Sequence, residues 1–151
     1  SGGVSVGELD FVKRAWERIG GELAFWKVAL RPGKPFVFGR LRDKFLFGLP
    51  GNPVSAFVTF LLLVRPALAR WQGATDTALP SHPGILGQSL VNPGDRRHFV
   101  RVKTDAAGFV RAAGTQGSHI LSSLAEAEGL VDVPPQGTLA AGTPVKVYRW
   151  E

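Results

Sequence analysis

Cysteine is absent from this 151-residue chain, so it can form neither disulfide bonds nor thiolate metal sites. That absence fits a reducing compartment, and a cytoplasmic location is expected. Histidine is scarce: His82, His98 and His119 lie far apart, which argues against a zinc site when no cysteine can help. Long hydrophobic runs are missing as well. The longest, Ala56 to Leu68, is interrupted by Thr59, Arg65 and Pro66 and falls short of the ~20 apolar residues of a membrane span. No secretory leader pattern, internal repeat or low-complexity tract is visible. Acidic residues are outnumbered, 12 against 18 Lys and Arg, for a net charge of +6. A basic balance invites a nucleic-acid reading. However, the cations are dispersed, and no strand clearly interleaves aromatic with basic residues as a base-stacking face requires. Neither a nucleic-acid nor a membrane partner is expected. The two denser basic groups, Arg31 to Lys44 and Arg96 to Lys103, suit an anionic small ligand.

With 44% apolar and 20% charged residues, the chain should be globular rather than disordered. Apolar residues at helical spacing predict a helix over Glu8 to Ile19, ended by Gly20-Gly21. A strand is expected within Glu22 to Leu30, then a two-proline loop, Arg31-Pro32-Gly33-Lys34-Pro35. Short strands at Phe36 to Gly39 and Lys44 to Gly48 flank a charged hairpin at Arg42-Asp43. A long helix follows from Pro53 to Gln72, which Pro66 should kink or break. Residues 73–83 are polar and turn-rich and read as a linker. Beyond it come short β runs: Ile85 to Val91, His98 to Thr104, Phe109 to Ala112, Leu130 to Val133 and Val145 to Trp150. Turns at Pro93-Gly94, Ala107-Gly108 and Ala141-Gly142 separate them, and Ser122 to Ala127 reads as one helical turn. The spacing suits a small barrel or sandwich. The fold class is therefore α/β plus all-β, with an α/β unit over residues 1–75 and an all-β unit over 76–151.

Phe47-Gly48-Leu49-Pro50-Gly51-Asn52-Pro53-Val54-Ser55 reads as strand, tight turn, helix. Pro53 suits the first helical turn, Asn52 can cap it, and Gly51 supplies backbone freedom. Such a turn is a natural seat for an anion. Ser1-Gly2-Gly3-Val4-Ser5-Val6-Gly7, with Glu8 and Asp10 just after it, is a second Gly-rich turn. Together the two turns point to a phosphate-bearing ligand bound where open α/β sheets bind ligands, at strand ends.

These motifs, with Lys27, Arg31-Pro32-Gly33-Lys34-Pro35 and Gly114-Thr115-Gln116-Gly117-Ser118-His119, resemble the molybdopterin molybdenumtransferase family, which includes the E domain of gephyrin. The motifs come in the family order from Ser1 almost to the C-terminus. The resemblance implies the C-terminal part of a molybdopterin-binding α/β domain followed by a small β-barrel domain. The chain begins inside a turn motif and is expected to be a piece of a longer protein. The implied reaction inserts molybdate into adenylylated molybdopterin with release of AMP, with Mg²⁺ as cofactor, in a homodimer whose sites draw on both subunits. The piece alone is expected to be inactive. The same fold also serves as a dimeric scaffold for a partner peptide, which is the alternative reading.

Among candidate site residues, Asp10 reads by position alone equally as a helix-start acid or as a Mg²⁺ ligand, and the family pattern favours the second. Glu8 reads as an ordinary helix-start acid. Lys27 is either a solvent-facing strand residue or, by the pattern, functional. Arg31 stands where the family usually has Lys; it keeps the charge but is not equivalent. Lys34 is a contact or a surface charge. The ligand-binding set implied is Gly2, Gly3, Ser5, Gly7, Pro50, Gly51, Asn52, Ser55, Arg101 and Ser118, with Asp10, Lys27 and Arg31 as the catalytic group. His119 reads as a hydrogen-bonded structural residue.

Overall fold

The computed structural model describes residues 11–150. Helix α1 spans Phe11–Arg18. Strand β1, Glu22–Phe25, pairs antiparallel with β3, Val37–Leu41, which pairs in turn with β4, Lys44–Gly48. The turn between β3 and β4 places Arg42 at φ 53, the left-handed conformation that a two-residue hairpin demands. A register shift between Leu23 and Phe25 ends β1 early. The expected long strand to Leu30 is therefore broken in two, and β2 is only Leu30–Arg31.

One helical rod runs from Pro53 to Trp71. It is α-helical over Pro53–Thr59 (α2), π-helical over Phe60–Val64, and α-helical again over Arg65–Trp71 (α3). Pro66 does not break it. The wider π turn, in which Arg65 N–H donates to Phe60 O, lies immediately before the proline. It takes up the crowding that a proline ring imposes on the preceding turn of a regular α-helix. The rod is long and apolar enough to cross a membrane by length and composition, yet Val54, Val58, Leu61 and Val64 are buried in the fold.

Residues 72–80 are irregular, ending where β5, Ser81–Ile85, begins two residues before Pro83. The remaining strands are β6, Leu90–Asn92; β7, Arg97–Thr104; β8, Val110–Ala112; β9, Gly129–Val133; β10, Gly137–Leu139; and β11, Pro144–Tyr148. One turn of helix, α4, covers Ser122–Ala125. The predicted strand from Ile85 to Val91 is two pieces, because Gly87 turns out of line to donate to Val110 O at 2.9 Å. That bond and the Leu86–Val110 bridge close the ring β8-β7-β9-β11-β5 into a barrel. Strands β6 and β10 form a separate two-stranded ribbon.

Alternation along β7 sets two cores. Val100 and Val102 face the barrel interior with Leu86, Leu90, Val110, Val131, Val133 and Val147. Phe99 faces outward and packs with Leu130 against Val58 and Leu61 of the helical rod. The α/β unit and the barrel thus share a core, with Phe57 edge-on to Trp150 at 5.3 Å. They also share a sheet: β2 pairs in parallel with the start of β7, Leu30 opposite Arg97 and Arg31 opposite His98.

Gly33 holds the two-proline loop against the rod. Its φ is +121, and a Cβ built there would clash with Thr59 Cγ2. Gly73, at φ +90, has open space around its would-be Cβ. Gly73→Ala should cost about 1 kcal/mol, the backbone penalty alone. Gly33→Ala should cost about 3 kcal/mol, because an overpacking penalty of about 1–3 kcal/mol adds to it. Urea denaturation midpoints of the two variants measure the difference.

Candidate functional site: a basic cleft between three loops

Three loops and one strand entry surround a cleft of about 570 Å³. The first wall is Arg31 to Pro35, leaving β2. The second is Pro50, Gly51 and Asn52 with Ser55, the turn between β4 and α2. Arg96, just before β7, and the segment Gln116 to His119 complete it. Arg31, Lys34 and Arg96 bring positive charge, and among the described residues that line the cleft none is acidic. The Arg96 guanidinium donates to Leu30 O at 3.1 Å, so it is tied to the same strand that delivers Arg31. A second hollow, between β4 and α3, is lined by Phe38, Phe45, Phe47, Ala67 and Trp71, with Arg70 as the one cation among its described lining residues.

The turn forms as its residue types dictate. Asn52 has extended backbone and its Oδ1 accepts from Ser55 N–H at 3.3 Å, the N-cap bond that starts α2 ahead of Pro53. Ser55 is almost fully buried at the cleft edge.

Arg101 lies elsewhere than expected. It is wholly buried on the outer face of β7, not on the cleft surface. Its Nε donates to Ser123 Oγ at 3.0 Å, and its Nη2 donates to Thr115 O at 3.2 Å and Gly117 O at 3.1 Å. Among the described residues Nη1 has no partner and no carboxylate pairs with the guanidinium. The outer face of β7 is covered at this point by the segment 115–117 and α4, which the sequence pattern of a strand arginine does not reveal.

Lys27 also departs from expectation. It lies in the irregular stretch between β1 and β2, exposed, and is not part of the cleft lining. The bulge that ends β1 is the reason. Arg31, Pro50, Gly51, Asn52, Ser55 and Ser118 are brought together. Gly2, Gly3, Ser5, Gly7 and Asp10 lie outside the described residues. Sequence reasoning gave no role to Arg96, Gln116 or His98. The density of cations from Arg96 to Lys103 was the available signal for the first.

His98 is buried at the β2–β7 junction, and neither ring nitrogen has a partner among the described residues. Its pKa is lowered from 6.5 to about 4, first by burial and then by the charges of Arg31, Arg101 and Arg96. The folded state therefore prefers the neutral ring. This preference contributes in full above pH 6.5 and is lost as the pH falls from 6.5 toward 4. Between pH 7 and pH 5 the loss should be about 2 kcal/mol. Chemical denaturation at the two pH values measures it, and in His98→Gln that part of the pH dependence should vanish.

The cleft, set between a strand-turn-helix unit and a β-barrel, carries three cations and no acid among the described residues, a charge balance that suits an anion. Residues 1–70 match the family profile described as "Probable molybdopterin binding domain", and residues 83–150 match "MoeA C-terminal region (domain IV)". The chain is 40% identical over 153 residues to a molybdopterin molybdenumtransferase of Haemophilus influenzae, covering 97% of this chain and 38% of that protein. It is 41% identical over 155 residues to molybdopterin molybdenumtransferase 2 of Mycobacterium tuberculosis, covering 98% and 38%. A solved structure of the molybdopterin biosynthesis MoeA protein from Pyrococcus horikosii superposes with a TM-score of 0.78 at 29% identity, over 94% of this chain and 35% of that one. The chain belongs to the molybdopterin molybdenumtransferase family, and it spans 38% of the length of these two curated relatives.

Proposed function

We propose that this chain supplies the oxyanion-binding part of an enzyme that inserts molybdate into adenylylated molybdopterin and releases AMP. The observation that carries the reading is the cluster of Arg31, Lys34 and Arg96 facing the Pro50-Gly51-Asn52 turn, with no acid among the described lining residues. Molybdate is a tetrahedral dianion and the pterin nucleotide adds phosphate charge, so both need cations and N–H or O–H donors. Arg31 and Arg96 supply planar forks for two oxygens at once, and Ser55 and Ser118 supply hydroxyls. Arg101 adds positive field from beneath without opening to the cleft. In the reaction the dithiolene sulfurs capture the metal, and water cleaves the phosphoanhydride.

Among the described residues no cluster of His, Asp or Glu could hold a metal ion. The candidate donor is Asp10, which the family pattern picks out and which offers a hard carboxylate oxygen of the kind that holds Mg²⁺ together with substrate phosphates and water. When bound there, Mg²⁺ would neutralise charge on the anhydride. We place the reaction in the cytoplasm of the cell and the site in a homodimer that completes it.

The anion reading is tested on this chain. Molybdate, sulfate or phosphate should raise its unfolding temperature, by about 2.7 kcal/mol of stabilisation at a concentration 100 times Kd. Arg31→Ala and Arg96→Ala should shrink the effect, whereas Lys146→Ala on the far strand should not. Equal protection of wild type and the two cleft variants overturns the shared site.

The catalytic reading is tested in the longer protein. Asp10→Asn keeps shape and removes charge, so AMP release should fall at least ~100-fold, about 2.7 kcal/mol in the barrier. Affinity for the pterin nucleotide should change much less. Wild-type AMP release by the variant would favour the scaffold reading instead.

A further inference from the structure

We infer that Gln116 is a positioning residue of the cleft: with Arg101 behind it, it fixes the wall at Gly117 to His119 rather than binding the anion itself. The inference rests on the anion-site reading above. Residues 113–121 form no regular helix or strand, so something other than backbone periodicity must give this segment a shape. The Gln116 amide does so by acting as a substitute strand. Its Oε1 accepts from Arg101 N–H at 2.8 Å and its Nε2 donates to Arg101 O at 3.0 Å. That reciprocal pair is what a residue on an antiparallel neighbour would form. The same Nε2 lies 3.2 Å from Gly114 O.

The Arg101 side chain closes the segment from the other direction. Its Nη2 holds the carbonyls of Thr115 and Gly117, the residues on either side of Gln116. Its Nε holds Ser123 Oγ, which donates onward to Ile120 O at 2.8 Å. Gly114, Thr115, Gly117 and Ile120 are thereby tied to one amide and one guanidinium. Ser118 and His119, between the last two of these anchors, form the wall of the cleft.

The residue type is specified by the geometry. Asparagine is a methylene shorter. Glutamate can accept from Arg101 N–H but cannot donate to Arg101 O, leaving two oxygens face to face. Lysine at 101 would lack the planar fork that reaches three acceptors. A wall held this way presents Ser118 in one place, and preorganised donors bind an oxyanion more tightly than donors that must be ordered first.

The test compares Gln116→Met, which keeps side-chain length and removes both bonds, and Gln116→Ala with wild type. Ser89→Ala removes a comparable loop hydrogen bond, from Ala141 N–H, outside the cleft lining and serves as the control. Calorimetric titration with molybdate should show Kd raised at least 10-fold in both Gln116 variants and unchanged in Ser89→Ala. Hydrogen exchange should show protection lost at the Arg101 amide, which donates to Gln116 Oε1, and at the Ile120 amide, which donates to Gly117 O, and kept in the rod from Pro53 to Trp71. Wild-type Kd in Gln116→Met overturns the positioning role alone, as does protection lost evenly over the whole chain. Failure of the wild-type chain to bind molybdate overturns the anion reading and this inference together.

Discussion

The short parallel pairing of β2 with β7 is the constraint on which the site depends. It involves only Leu30 with Arg97 and Arg31 with His98, supported by the bond from Arg97 N–H to Ala29 O at 3.1 Å. Parallel strands cannot be joined by a tight turn. Everything between them, the hairpin, the helical rod and the first barrel strands, is therefore a crossover that must return to its starting edge. Two residues of pairing are too few to enforce that return. The outward-facing Phe99 and Leu130, packed on Val58 and Leu61, do so by burying side chains worth roughly 1.5–3 kcal/mol each. Because β2 ends where β7 begins, the loop leaving one and the arginine entering the other face the same space. The rod that starts at Asn52 brings the third wall to it.

Electrostatics within this frame are one-sided by construction. A buried guanidinium is usually matched by a carboxylate, since an uncompensated charge in the interior costs several kcal/mol. Arg101 is matched instead by carbonyls and a hydroxyl. Those partners satisfy Nε and Nη2 but not Nη1 among the described residues, and they leave the net charge in place; an aspartate there would cancel the field at the cleft. The same choice explains His98. Burial first, and then the charges of Arg31, Arg101 and Arg96, hold its ring neutral. The region carries an excess of positive charge, which an anionic ligand would relieve.

Much of the fold was legible in the residue pattern because it followed from local rules. The Asn52-Pro53 helix start, the hairpin at Arg42-Asp43 and the β-rich second half each rest on nearest-neighbour chemistry. The misplaced features all depend on distant partners. Lys27 left its strand because of a bulge against β3, and the strand expected from Ile85 to Val91 split so that Gly87 could close the barrel onto Val110. Arg101 was expected as a ligand contact, because nothing local announces that a loop some fifteen residues later will cover it. The rod stayed continuous through Pro66 because a π turn precedes it, an irregularity that residue propensities do not encode. In the site, the residues that line the cleft from loops carried recognisable motifs. The holding role of Arg101, Gln116 and Ser123 behind the loops was not legible, although Gln116 lies within the Gly114 to His119 motif.

This contrast also separates two chemical tasks. The described cleft has cations, hydroxyls and a capped helix start, which suffice to hold and orient an oxyanion. It has no carboxylate, and an anhydride is not opened by cations alone: a water must be oriented or activated by a basic group, or charge on the leaving phosphate must be neutralised by a metal that itself needs oxygen ligands. On the proposed reading, the binding of oxyanion and the cleavage of anhydride would fall to different residues, the first to the three-walled cleft and the second to Asp10. Substitutions at Arg31, Arg96 or Gln116 and substitutions at Asp10 should consequently fall into distinct kinetic classes, the former weakening ligand affinity and the latter lowering turnover at unchanged affinity.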